Sequence, residues 1–210
     1  RPVTVVGTKS QSVGHIDLIV TPLGGHRVAV ADSRAGARLA AAAIDGNPGL
    51  VQEFERSCEE MFFGREDVSE LKDRDGNLLI RPKVSGQTDK VMAASLRIAP
   101  DLDSIAQQLS HAGYTVVRVP ALIPDQSGAG NEPLAKAIRY PFLSYSNVLV
   151  EKRENQSVVY LPQYGFKKLD NAAVQTWESL GYHVKPVPGF STSSMYGGGL
   201  RCCTKVLLRD

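Results

Sequence analysis

The stretch GGGLRCCT at 197–204 places two adjacent thiols, Cys202 and Cys203, behind a run of three glycines. Glycine weakens a strand, so the run beside a nucleophilic side chain suggests that something has to approach the backbone closely there, with Gly199 a candidate substrate-binding residue; the alternative is a buried edge turn with two inert thiols. A cysteine attacks as its thiolate and needs a lowered pKa or an adjacent base, which a histidine commonly supplies. The chain has four histidines, His15, His26, His111 and His183. His26 falls in a turn and His111 near a polar helix end, and His183 sits on a short strand; all three read as surface or structural residues. His15 differs. In SVGHIDLIVTP it is expected to open a strand right after a glycine, with Asp17 two residues on and hence on the same face. Such a pair can join a proton-transfer group to a carboxylate that anchors a cation, or it can be a plain His–Asp surface pair. Cys58, in EFERSCEEMFF, lies among apolar and charged residues at helical spacing and reads as structural.

The elements that must carry these residues form a repeat. DLDSIAQQLSHAGYTVVRVP, ending at Pro120, and LDNAAVQTWESLGYHVKPVP, ending at Pro188, share an acidic start, a helix-spaced apolar face, a stop at Gly113 or Gly181, and a short strand closed by proline. After the first copy come a strand FLSYSNVLVE, a polar turn KRENQS and a strand VVYLPQ. After the second, GGGLRCCTKVLL takes the place of the Asn147-bearing segment and is expected to be a strand, with Cys203 facing away from Cys202. The first third follows the same grammar: strand GHIDLIVTPL, turn GGH, strand RVAVAD, and an Ala-rich helix from about Ser33 to Ile44 capped by Asp32 or Ser33. About three units of strand, strand, helix, strand are expected, stacked around an axis or along a line. Residues of about 62–95 read as a polar insertion with an RDGN hairpin. The Pro/Gly-rich connection 120–141 reads as a lid over a site or a long surface loop.

At 210 residues, 42% hydrophobic and 22% charged, with a net charge of +2, the chain suits one domain spanning 1–210. The charge balance argues against a nucleic-acid partner, and no apolar run is long enough to span a bilayer. Three cysteines, two of them adjacent, fit a disulfide framework poorly and suggest a reducing, cytoplasmic compartment. No metal-ligand spacing or phosphate-binding loop is present, so no cofactor is expected. The start RPVTVVGTKS has neither Met nor a signal-peptide pattern, and the expectation is a processed or truncated product.

GHID at 14–17, SYSNVLVE at 144–151, YLPQYG at 160–165 and GGGLRCCT at 197–204 occur in the order found in guanidino-group-modifying enzymes. The chain resembles the pentein superfamily, with its five-bladed β/α propeller. The closest overall likeness is to agmatine deiminases, within a broader group that includes peptidylarginine deiminase-like proteins. The resemblance implies an α/β fold of ββαβ units forming the C-terminal part of such a propeller, since only 14 residues precede His15 and the family draws further substrate carboxylates from upstream blades. Those blades are expected in a longer product or a separate fragment that associates with this one; an oligomer is also allowed. It implies Cys202 as nucleophile, His15 as general acid/base and Asp17 as the carboxylate that holds a guanidinium. Arg201 stands where the family often has histidine. The implied activity is hydrolysis of a guanidino C–N bond through a covalent amidino-thioether, giving a ureido product and ammonia or an amine. The alternatives are amidino transfer by the same site, and a catalytically inactive binding module.

Overall fold

A computed structural model of the chain describes residues 3–8, 15–63, 75–76, 84–124, 140–153, 156–195 and 198–204. The described residues form a mixed α/β structure with two small sheets and five α-helices. A 3-10 turn, Ile16–Leu18, leads into β1 (Val20–Gly24), which pairs antiparallel with β2 (Arg27–Asp32). The connecting turn uses left-handed backbone at Gly24, Gly25 and His26, the geometry a tight hairpin needs. β2 then runs parallel to β3 (Thr115–Leu122), and β4 (Leu143–Ser144) adds antiparallel to β3. The second sheet repeats the plan: β5 (Leu149–Arg153) and β6 (Gln156–Pro162) form an antiparallel pair, and β7 (His183–Val187) lies parallel to β6. Two units of hairpin, helical crossover and parallel third strand are thus present among the described residues, and the two sheets do not close into a ring there.

In the first unit the crossover consists of α1 (Ser33–Gly46), α2 (Pro48–Phe63) and α3 (Thr88–His111). In the second it is α4 (Lys167–Ser179) alone. Asp32 caps α1, its carboxylate accepting from the Ala35 amide at 2.8 Å. Gly36 lets α1 press onto β3, for a Cβ there would lie 1.9 Å from the Ala121 carbonyl oxygen. Gly113 and Gly181 both adopt positive φ beyond their helices, as the repeat requires.

Three sequence expectations change. α3 starts at Thr88, inside the stretch read as an insertion, and runs through Pro100. Pro100 and Leu96, whose carbonyl the proline ring deprives of a partner, both lie on the exposed face, where water can serve that carbonyl. Two carboxylates of α2 secure the entry to α3: Glu55 accepts from the amides of Gly86, Gln87 and Thr88 at 2.8, 3.1 and 3.0 Å, and Glu59 from those of Val84 and Ser85 at 2.6 and 2.7 Å. The stretch FLSYSNVLVE is a turn between two short strands rather than one strand. The third departure, in the strands expected to carry His15 and Cys202, belongs to the site. The RDGN hairpin beyond Asp75 and Gly76, most of the 120–141 connection, and the end of the chain after Thr204 lie outside the described residues.

Two apolar clusters hold the fold. One gathers the faces of α1, α2 and α4 around Phe54, Tyr145, Leu161, Leu169 and Trp177; the other packs Leu102, Ile105 and Leu109 of α3 against Val28 and Val30 of β2. No helix among the described residues is long and apolar enough to cross a membrane.

Candidate functional site

The site forms where three turns meet, the first two each standing just before a hairpin. The first is Ile16–Leu18, ahead of β1. The second is the segment 145–148, ahead of β5. The third is a 3-10 turn, Arg201–Cys203, which follows β7 and a short helix α5 (Ser191–Met195). Asp17, Asn147 and Cys202 are their respective contributions.

The motif SYSN at 144–147 binds the second turn to the first with the side chains of Ser144, Ser146 and Asn147. The Ser144 hydroxyl donates to the Leu18 carbonyl, and the Ser146 hydroxyl does the same at 3.1 Å, while Thr21 on β1 donates from its hydroxyl to the Ser146 carbonyl. These hydroxyls occupy carbonyls that a strand ladder would otherwise use, which explains why the segment bends. Tyr145 points the other way. Its hydroxyl donates to Asp170 at 2.7 Å inside the core, and Trp177 donates its indole N–H to the Tyr145 carbonyl at 3.0 Å. Tyr164, from YLPQYG, donates to the Ser144 carbonyl at 3.0 Å. The turn is therefore gripped from both sides, and Asn147 at its end is fully buried.

Asn147 is the hub. Its Nδ2 donates to the Asp17 carbonyl at 3.0 Å and to Asp17 Oδ2 at 3.2 Å, and it lies 3.9 Å from Cys202 Sγ. Its Oδ1 accepts from the Arg201 amide at 2.8 Å. That last bond corrects the expectation of a strand through the cysteines: with the Arg201 N–H given to a side chain, 201–203 close as a 3-10 turn, Cys203 bonding to the Leu200 carbonyl and Thr204 to that of Arg201. Strand alternation therefore does not set Cys202 and Cys203 on opposite faces. Both are exposed and free.

The Cys202 thiol donates to Asp17 Oδ2 at 3.4 Å. Partial burial pushes the thiol up from its ordinary value, and Asp17 adds to this through its hydrogen bond and its charge; the Gly199 backbone hydrogen bond and the Asn147 carboxamide pull it down. Gly199 acts here through its missing side chain. A Cβ would lie 2.3, 2.5 and 3.1 Å from Oδ1, Cγ and Nδ2 of Asn147, so only glycine leaves the carboxamide its place.

Of the residues expected at the site, Asp17, Gly199 and Cys202 come together. His15 is exposed at the start of the first turn, with extended backbone rather than as the first residue of a strand, and Asp17 lies within the 3-10 turn, so the same-face argument for the pair does not apply. Among the described residues no hydrogen bond joins the His15 imidazole to Cys202 or Asp17. Asn147 is the site residue that the search for nucleophiles and bases passes over. Its signal was the repeat, which already sets the Asn147 segment opposite the cysteine segment.

The remaining reactive groups are accounted for. His26, His111 and His183 are exposed, and Cys58 is fully buried with its thiol pushed up to about 12, chiefly by burial. No set of three metal-ligating side chains occurs among the described residues. No protein-family model and no curated protein sequence matches the chain.

Proposed function

We propose that the chain is a guanidino-group hydrolase that attacks through Cys202, on a pentein-type arrangement of ββαβ units. The observation that carries this reading is the 3.4 Å approach of Cys202 Sγ to Asp17 Oδ2 at the junction of three turns. A planar cation that hydrogen-bonds Asp17 is thereby held with its carbon beside the sulfur, which is the positioning that a poor electrophile such as guanidinium needs. The same cation offsets the charge that keeps the thiol protonated, so binding and activation coincide.

The exposed Cys202 thiol gives its proton to solvent, and the thiolate sulfur adds to the guanidino carbon to give a tetrahedral adduct. Collapse of the adduct breaks a C–N bond, and the leaving nitrogen takes a proton from His15, departing as ammonia or an amine. Water then adds to the amidino-thioether with His15 accepting its proton, and the thiolate leaves to give the ureido product. His15, exposed two residues before Asp17, is the proton carrier in this scheme. The substrate class is a small or peptidyl guanidino compound, and three free cysteines suit a reducing, cytoplasmic setting.

The test is release of ureido product and ammonia from arginine, agmatine, a methylarginine and an arginine peptide, with Cys202→Ala as control. Product that disappears in Cys202→Ala supports the hydrolase. Product that requires an added amine, without ammonia, supports amidino transfer instead. A binding module is favoured by one observation, the absence of a hydrogen bond between His15 and the sulfur; it predicts silence across the panel together with saturable binding of the same compounds.

A further inference from the structure

The carboxamide of Asn147 lies against both the Asp17 carboxylate and the Cys202 thiol, and its orientation is dictated by its surroundings. Oδ1 is committed to the Arg201 N–H at 2.8 Å, so Nδ2 must face Asp17 and Cys202; the flipped amide would set donor against donor. Nδ2 carries two hydrogens for three acceptors, the Asp17 carbonyl at 3.0 Å, Asp17 Oδ2 at 3.2 Å and the sulfur at 3.9 Å, so one hydrogen is shared and the sulfur takes the longest contact. When Cys202 loses its proton, the thiol-to-carboxylate hydrogen bond disappears and two anions face each other across 3.4 Å. A neutral donor bound to both is the group that can hold such a pair together. We propose that Asn147 is a catalytic residue whose carboxamide holds the Cys202 sulfur as a hydrogen-bond acceptor while fixing Asp17 beside it. The assignment rests on the reading of Cys202 as nucleophile. In that reaction Asn147 serves the sulfur twice, before attack and again as the thiolate leaves the amidino-thioether.

Gly199 makes the idea testable without touching Asn147 itself. Its absent side chain is the space the carboxamide occupies, so Gly199→Ala drives Asn147 out of position, and Asn147→Ala empties that space. The experiment is the pH dependence of iodoacetamide reaction at Cys202, followed in a Cys203→Ser background where Cys58 is buried and silent. Asn147→Asp, which keeps an acceptor for the Arg201 amide but loses the donor and adds a charge, should raise the alkylation midpoint by about one pH unit or more and slow the reaction several-fold at pH 7.5. Asn147→Ala and Gly199→Ala should shift it in the same direction by less, and Gly199→Ala should add nothing once Asn147 is already alanine. Urea midpoints identify variants that are folded; should Asn147→Asp fail to fold, the alanine pair carries the test. An unmoved midpoint in folded variants overturns the proposal, as does a Gly199→Ala shift that persists in full without Asn147. Alkylation needs no substrate, so the two readings fail separately. A flat profile in an enzyme active on the guanidino panel removes only the role of Asn147, and a shifted profile in a protein silent on the panel removes only the hydrolase.

Discussion

Replacing Asp17 by Asn should make Cys202 more reactive and the protein less active, and the opposite signs separate the two tasks of this carboxylate. Asp17 Oδ2 accepts from the thiol at 3.4 Å and raises it both as an acceptor and as a charge. Because Cys202 is exposed, water-like screening is appropriate, and a unit charge at that distance is then worth about 1.2 kcal/mol, close to 0.9 pH unit. The alkylation midpoint of Cys202 should therefore fall by roughly one unit in Asp17→Asn. At a pH well below the midpoint the thiolate fraction rises roughly eight-fold, but a less basic thiolate is also a weaker nucleophile, so the observed rate should rise only about three-fold. Turnover of a guanidino compound should drop by about 100-fold or more, since nothing then fixes the cation beside the sulfur. The assay pairs iodoacetamide kinetics from pH 6 to 10 with ammonia release, both in the Cys203→Ser background. A midpoint that stays in place or rises in folded Asp17→Asn refutes the electrostatic account of the site, whatever happens to turnover.

In the unmodified protein a disulfide-exchange reagent at pH 8 should titrate two thiols promptly, Cys202 and Cys203, and the third only after denaturation, since the Cys58 thiol is fully buried and pushed up to about 12; three prompt thiols would contradict the packing of α2. Gly36→Ala should destabilise by about 2–3 kcal/mol in urea titrations, because its Cβ meets the main chain of Ala121, which has no side-chain freedom to move away. Burial raises the carboxyl of Asp170 above its ordinary 3.8, although the Tyr164 amide, the Tyr145 hydroxyl and the Gly165 amide pull the other way. A carboxyl raised by folding favours the native state most fully below its unfolded value, and that contribution is lost as pH rises through the folded value. The stability of the protein relative to Asp170→Asn should therefore decline from pH 3.5 to pH 6, and urea midpoints that move together over that range would show that Asp170 is not raised.

The parts of this molecule that were legible in the sequence are those whose physics is local. Gly113 and Gly181 end helices because each takes left-handed backbone there, and Asp32 caps α1 because a short carboxylate reaches the free amide of Ala35. The paired helix and strand of each repeat follow from period and punctuation in the same way. The turns of the site are not legible locally because side chains intervene in main-chain bonding from far along the sequence. Ser144 and Ser146 take the Leu18 carbonyl, and Asn147 takes the Arg201 amide 54 residues away; no window around 144 or 201 contains that information. Strand propensity therefore lost to polar satisfaction at both places. The same cause hid Asn147, a neutral residue with no titration of its own, from a search for nucleophiles, bases and carboxylates. Yet the repeat held the clue, because equivalent positions of stacked units come to lie near a common axis. Asp17 and Asn147 stand just before the hairpins of the two described units, and Cys202 follows the last strand of the second and meets them there. Their meeting puts a donor, an anion and a thiol in one site.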